Sequence, residues 1–433
     1  MPKTDCDVVV VGGGLAGLTA ATYLARAGRS VALFEKARTL GGRAATHVKG
    51  DYRFNIGPHA LYKGGAGAKV LRELGVAFTA GTPSASGGYA IDRGAKHALP
   101  GGFVSLLSTG LFGLAAKFET ARLLGTIGKI DAAAIRHETV RGWLDRSIRH
   151  PEVRRLVQAL FRLSTYANDP TRQSAGVAVA QLQMALAGNV HYLDGGWQTL
   201  VDGLRLAAEA AGVKIVAGAR VAAVEQDDGA CGVRLADDTR HAAGAVILAT
   251  SPGDAAGLLN GASRSLREWA DAAIPVTAAC LDVALNRLPQ PRATFALGID
   301  QPWYLSVHSA FAKLAAPGGA TIHVAKYLPG DAAFDPKSDE RELEALLDLV
   351  QPGWRDALVE RRFLPSMVVC NGLTTAAQGG VAGRPGPAVL DVKNLYVVGD
   401  WVGAEGLLAD TSLASAKRAA ELVAQTRPLR VAA

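Results

Sequence analysis

The feature that most constrains this chain is a short apolar strand running directly into a glycine turn. Residues 6–11 form a β-branched run of the kind buried in a parallel sheet. Gly12-Gly13-Gly14-Leu15-Ala16-Gly17 follows at once and satisfies G-x-G-x-x-G at positions 12, 14 and 17. A helical pattern over residues 18–27 is closed by Gly28, and a second strand, residues 31–35, ends in Glu35. Each part has a physical task. Gly12 permits the tight turn, Gly14 lets backbone approach a pyrophosphate, and Gly17 lets the helix pack on the strand. The helix N-terminus offers free N–H groups and a positive dipole end to phosphates. Glu35, 23 residues after Gly12, is placed to accept from ribose hydroxyls. Strand before, helix after and an acid on the next strand together predict a dinucleotide site.

Composition narrows the class. At 433 residues, 49% hydrophobic and 20% charged, the chain supports two domains or one elaborated α/β unit and excludes intrinsic disorder. The four cysteines are scattered without a Cys-x-x-Cys pair, so they read as reduced thiols of a cytoplasmic protein and give no metal spacing. The 46 basic against 39 acidic residues leave +7, and no Lys/Arg run has the look of a nucleic-acid footprint. The first residues lead straight into the strand, so no signal peptide is expected there. Uncharged stretches at 97–116, 173–193 and 363–383 are broken by Pro, Gly, Gln or Asn, and none reads as a spanning helix.

Leu40-Gly41-Gly42-Arg43, so soon after Glu35, resembles the flavin-dependent amine oxidase and phytoene desaturase superfamily, whose FAD fold continues into a Gly-Gly-Arg element. The resemblance recurs along the chain. Asn55-Ile56-Gly57-Pro58-His59 is similar to the segment that passes the flavin ring in that family. Residues 191–200 are similar to its Gly-Gly turn opening a helix, Val221 sits in the strand whose backbone meets the adenine, and residues 246–252 resemble the strand and Pro turn that follow. Residues 395–400, ending in Gly399-Asp400, resemble its C-terminal flavin element, where the Asp binds ribityl or phosphate oxygens. The next helix is expected over 410–424, with Asp410 or Thr411 as N-cap.

The resemblance implies an α/β protein with a two-dinucleotide-binding-domain-type FAD fold, discontinuous in sequence, and an inserted α+β substrate domain. The FAD domain is expected from residues 1–85, 195–255 and 385–433, the substrate domain from 86–194 and 256–384. Cofactor contacts are expected from Gly12, Gly14, Leu15, Ala16, Gly17, Glu35, Lys36, Gly42, Arg43, Gly57, Pro58, His59, Val221, Gly399, Asp400, Ala409, Asp410 and Thr411. Family amine oxidases often carry a cysteinyl flavin link near the C-terminal element; residues 400–406 hold no Cys, so the FAD is expected to be non-covalent.

Flavin carries the difficult step itself, so a catalytic triad is not required. His59 is a candidate base or flavin hydrogen bonder, with a structural imidazole as the alternative. Lys326 shares a strand face with Ile322, Val324 and Leu328, where an ammonium is costly unless paired, and several family amine oxidases hold a lysine through water at flavin N5. Trp401 is a candidate substrate wall or ordinary packing. Residues 99–130, with the Arg-bearing segment 136–162, form either a cationic membrane-docking surface of the desaturase kind or a helical lid with a solvated face. The expected function is removal of a hydride equivalent from a lipophilic, isoprenoid-like substrate, with oxygen or a quinone as acceptor. The alternatives are a flavin amine oxidase acting on a C–N bond, a redox-neutral flavin isomerase, and an FAD-binding carrier.

Overall fold

The computed structural model describes residues 5–84, 87–227, 230–330 and 334–426; the expected domain segments' outer ends, 1–4 and 427–433, lie outside the described residues. The apolar run forms strand Cys6–Val11, with Val8, Val9 and Val10 essentially without solvent contact. Burial on both faces is what a central parallel strand requires. It lies between Val31–Glu35 and Arg240–Leu248, parallel to both. Lys214–Ala217 extends one edge in parallel, and the antiparallel strands Ala230–Leu235 and Val221–Asp227 extend the other. The second half of Arg240–Leu248 pairs in parallel with Leu395–Val397, a strand from far down the chain.

Helices Leu15–Arg26, Gln198–Ala210 and Leu408–Gln425 cover one face of this sheet, through Leu18, Leu24, Leu200, Leu204, Leu413 and Val423. Helices Pro252–Leu258 and Arg264–Ala272 cover the other beside Phe34, Val246 and Trp401. The first helix starts three residues earlier than its sequence pattern suggests, inside the glycine motif, with Gly14 as N-cap.

A second seven-stranded sheet has the order Leu358–Cys370, Val276–Leu285, Ala320–Leu328, Trp303–Val307, Phe295–Gly298, Tyr89–Asp92, Ala95–Ala98. All its pairings are antiparallel except Phe295–Gly298 with Tyr89–Asp92. Helix Pro336–Val350 packs on one face through Leu343, Leu346, Leu347 and Val350. Each of these side chains stabilises the fold by roughly 1.5–3 kcal/mol through burial. The opposite face, carrying Cys280, Ala325 and Tyr327, turns towards Tyr166 and Met367. Helices Val140–Ser147, Pro151–Thr165 and Ala175–Gly188 form a separate apolar cluster at the end of this sheet. No helix among the described residues is long and apolar enough to cross a membrane.

Candidate active site

A cavity of about 920 Å³ runs from the glycine turn, between the two sheets, to the start of the last helix. Its first wall is the turn itself. Gly12 has φ +110, and a Cβ there would stand 2.6 Å from the Ala249 carbonyl oxygen. At Gly17 a Cβ would stand 1.9 Å from the Gly12 oxygen, so helix and strand meet only because both lack side chains. Gly14 and Gly42 instead open onto the cavity, where an added Cβ finds its nearest neighbour 3.8 and 4.0 Å away. Gly14 supplies no side-chain cap, so the helix's first N–H groups stay available to a ligand. Glu35 lines the same wall, and its carboxylate also braces the turn. Oε2 accepts from Gly13 N at 2.6 Å and Oε1 from Ala37 N at 2.8 Å.

In the middle of the cavity Arg43 donates from Nη1 to Asp400 Oδ2 at 2.5 Å and to the Val369 carbonyl at 2.9 Å. Asn371 donates to the same carboxylate from its backbone N and from Nδ2. Burial pushes Asp400 up, but the Arg43 charge and these hydrogen bonds outweigh it and hold the carboxyl below its usual range. Asp400 therefore aims the guanidinium, leaving 43% of the Arg43 side chain open.

His59 stands on the cavity wall beside Arg43 and packs edge-on against Trp197, ring centroids 4.8 Å apart. Burial lowers its pKa to about 4. Tyr62, Tyr166, Met367, Val369, Leu407 and Leu408 continue the wall. Both tyrosine hydroxyls are turned to backbone, Tyr62 donating to Ser164 O and Tyr166 to Pro58 O.

The last helix begins at Leu408, two residues earlier than expected, with Leu407 as N-cap and no side-chain cap bond. Asp410 caps a different helix: its Oδ1 accepts from Gly67 N at 2.8 Å, in the first turn of Ala66–Glu73. Its own helix thus keeps an uncapped N-terminus facing the cavity. Leu408 holds φ +57, a costly conformation for a leucine that the surrounding packing imposes. Burial raises Asp410 to about 6. Thr411 Oγ1 accepts from Arg384.

Of the residues singled out by sequence, Gly12, Gly14, Leu15, Ala16, Glu35, Lys36, Gly42, Arg43, Pro58, His59, Val221, Gly399, Asp400, Ala409 and Asp410 line this one cavity. Gly17, Gly57 and Thr411 lie behind its wall. Lys326 is elsewhere. It does share a face with Ile322, Val324 and Leu328, but that face is covered by helix Pro336–Val350, and Nζ is paired at 2.8 Å with both Asp339 and Glu342. Trp401 is likewise a core residue, packed near Trp269 and donating from Nε1 to Thr250 O. Sequence reasoning missed Trp197, Tyr62, Tyr166, Asn371 and Arg220. The Gly-Gly turn before Trp197 was the available signal for one of them; the others carry no local pattern. Among the described residues, no cysteine lines the cavity.

The arrangement fits a dinucleotide joined to a flat ring system: a glycine cradle that a Cβ would fill, a fixed guanidinium, and an uncapped helix end beyond an apolar wall. The comparisons agree. The family described as flavin containing amine oxidoreductase matches residues 15–424. A carotenoid 3,4-desaturase of Haloarcula japonica is 56% identical over 52 residues, 12% of this chain and 10% of that protein. L-amino acid oxidase Cdc18 of Crotalus durissus cumanensis is 48% identical over 54 residues, 12% of this chain and 11% of its own. These matches span about a tenth of the relatives' length. An oxidoreductase structure from Methanosarcina mazei shares the fold at TM-score 0.76 and 19% identity, over 96% of this chain and 100% of that one. With its family profile spanning nearly the whole sequence, the chain belongs to the flavin containing amine oxidoreductases and is an oxidoreductase whose cofactor is FAD.

Proposed function

We propose that this chain is a desaturase-type dehydrogenase that takes a hydride equivalent from a lipophilic, isoprenoid-like substrate. FAD, when bound, supplies the hydride acceptor at N5. Gly14, Gly42 and the N-terminus of Leu15–Arg26 would hold its pyrophosphate, Glu35 its ribose, and Arg43 its central oxygens. Residues 1–85, 195–255 and 385–433 would form the cofactor domain and the intervening segments the substrate domain.

The observation that carries the substrate reading is the wall beyond His59. Tyr62, Tyr166, Met367, Val369, Leu407 and Leu408 present apolar surface, with both tyrosine hydroxyls committed to backbone. Among the described residues the carboxylate at that end is Asp410, which gives Oδ1 to Gly67 N while Oδ2 is sealed in protein. Among the described residues, no carboxylate there is turned inward to pair an ammonium. Such a wall holds an apolar substrate by burial and excludes water from the reacting C–H bond.

Oxygen or a quinone would take the electrons onward. Val104, Leu107, Leu114 and Phe118 are exposed on helices Phe103–Ser108 and Leu114–Thr126, and Lys117 and Arg122 stand on the second of these, which supports peripheral membrane contact. The likeness to an L-amino acid oxidase keeps amine oxidation as the second reading.

The test is anaerobic flavin absorbance, titrated with lipophilic alkenes and isoprenoids and separately with primary and secondary amines. Bleaching by an isoprenoid is the expected result. Bleaching by amines alone would replace the substrate class, and a purified protein that takes up no FAD would overturn the reading entirely.

A further inference from the structure

His59 makes an unusual pair of contacts. Nδ1 lies 3.1 Å from the Gly57 carbonyl oxygen, and Nε2 lies 3.1 Å from the Arg43 carbonyl oxygen. Both partners are acceptors only. A neutral imidazole carries one N–H and can satisfy one of them, leaving a lone pair against the other oxygen. An imidazolium donates to both. The cradle is thus shaped for the protonated ring.

Burial outweighs the two carbonyls and holds the ring below the usual imidazole range. The charged and titratable groups around it pull in both directions. His323, from strand Ala320–Leu328, opposes a charge on His59, and Asp282, from strand Val276–Leu285, favours it. His308 is coupled to both histidines. Asp282 is largely spent, since His323 Nδ1 at 2.6 Å and Arg362 Nη2 at 2.6 Å already hold its two oxygens. Arg43 sends its charge to Asp400. Of the groups named, Asp282 and Asp400 are the carboxylates, and both are already paired.

Resting on the FAD reading above, we propose that His59 is a charge-compensating residue: it takes up a proton from solvent when electrons enter the cavity and releases it when they leave. Two electrons entering with one proton leave one uncompensated negative charge beside the wall. A second proton then forms an N–H bond at the bare His59 nitrogen, and both carbonyls become hydrogen-bonded. With both nitrogens committed to backbone, His59 is not aimed at a substrate C–H bond and does not act as the base. Its effect is on how readily the site accepts electrons, and it works for any substrate.

The experiment uses the FAD-loaded protein labelled with ¹⁵N-histidine, oxidised and then reduced anaerobically with dithionite at pH 7. The His59 signals are assigned by loss in His59→Gln. Expected is a neutral pattern in the oxidised protein and an imidazolium pattern in the reduced one. In parallel, the flavin midpoint potential of wild type and His59→Gln is followed from pH 6 to 10. Wild type should be the more positive, with a gap that closes at high pH, where the reduced protein no longer keeps the His59 proton. A merely structural role would give a gap independent of pH. A ring that is neutral in both states, or cationic in both, overturns the proposal, as does a constant gap. Should His59→Gln fail to hold FAD, assignment through the Trp197 contact lets the wild-type spectra decide alone. A protein that binds no FAD would sink the earlier reading; one that binds it with an unresponsive His59 sinks only this one.

Discussion

Arg43 and Asp400 stand 357 residues apart in sequence, and their side chains meet at 2.5 Å in the middle of the cavity. Asp400 is almost without solvent exposure, whereas the guanidinium keeps an open face. The pair therefore fixes the direction of a positive charge that a ligand can reach.

Asp400→Asn should keep the Asn371 contacts in part but release Arg43. FAD affinity is expected to fall about 10- to 100-fold, a loss of roughly 1.4–2.8 kcal/mol. Flavin fluorescence titration of the apoprotein checks this. Because Asp400 is held below its usual range, its contribution to stability is present above the unfolded carboxylate value, near 4, and is lost as pH falls through the folded value. The wild-type apoprotein should accordingly lose more stability than Asp400→Asn on acidification below about pH 4.

Asp410 gives the opposite slope. Its folded pKa is raised to about 6, so the stability tied to its neutral form is full below the unfolded value and lost as pH rises through about 6. Asp410→Asn retains an acceptor for Gly67 N and cannot ionise. The variant should be more stable than wild type at pH 7–8 by about 3 kcal/mol, and the difference should vanish near pH 4. Urea denaturation at a series of pH values measures it, and a pH-independent difference would reject the assignment.

Lys326→Met should cost about 1–3 kcal/mol of stability by leaving Asp339 and Glu342 facing each other without their cation. Flavin reduction by substrate should stay within about twofold of wild type, since Lys326 is turned to the helix and away from the cavity. A larger loss in a stopped-flow half-reaction would place the lysine in the chemistry after all.

Leu114→Glu combined with Phe118→Glu should abolish co-sedimentation with anionic phospholipid vesicles while leaving the thermal midpoint within about 2 °C, because both side chains are exposed. Binding that persists would remove the membrane contact.

Local signals carried the sequence reading a long way. The strand, glycine turn and acid at residues 6–35 are a pattern of neighbours, and neighbours are what a sequence displays. Helix ends were less legible. The last helix shows Asp410 and Thr411 near its start, yet Asp410 turns to Gly67, a partner 343 residues away that no spacing reveals. Lys326 makes the same point about faces. Strand alternation placed it beside Ile322 and Val324, but Ala320–Leu328 is central and buried on both sides, so the pattern could not say which side met the cavity. Tyr166 and Asn371 reach the cavity only through tertiary folding, from segments whose local sequence has no dinucleotide signature.

The strand Leu395–Val397 pairs with the far half of Arg240–Leu248, and the residues just after it, Gly399 and Asp400, close the cavity. During synthesis, therefore, the glycine turn emerges first and waits through more than three hundred residues for the wall opposite it. A nascent or C-terminally clipped chain has the nucleotide cradle and Arg43, but neither the Asp400 carboxylate that aims the guanidinium nor the final helix. Flavin retention then serves as quality control: only a molecule translated and folded through residue 400 and the helix beyond should emerge yellow.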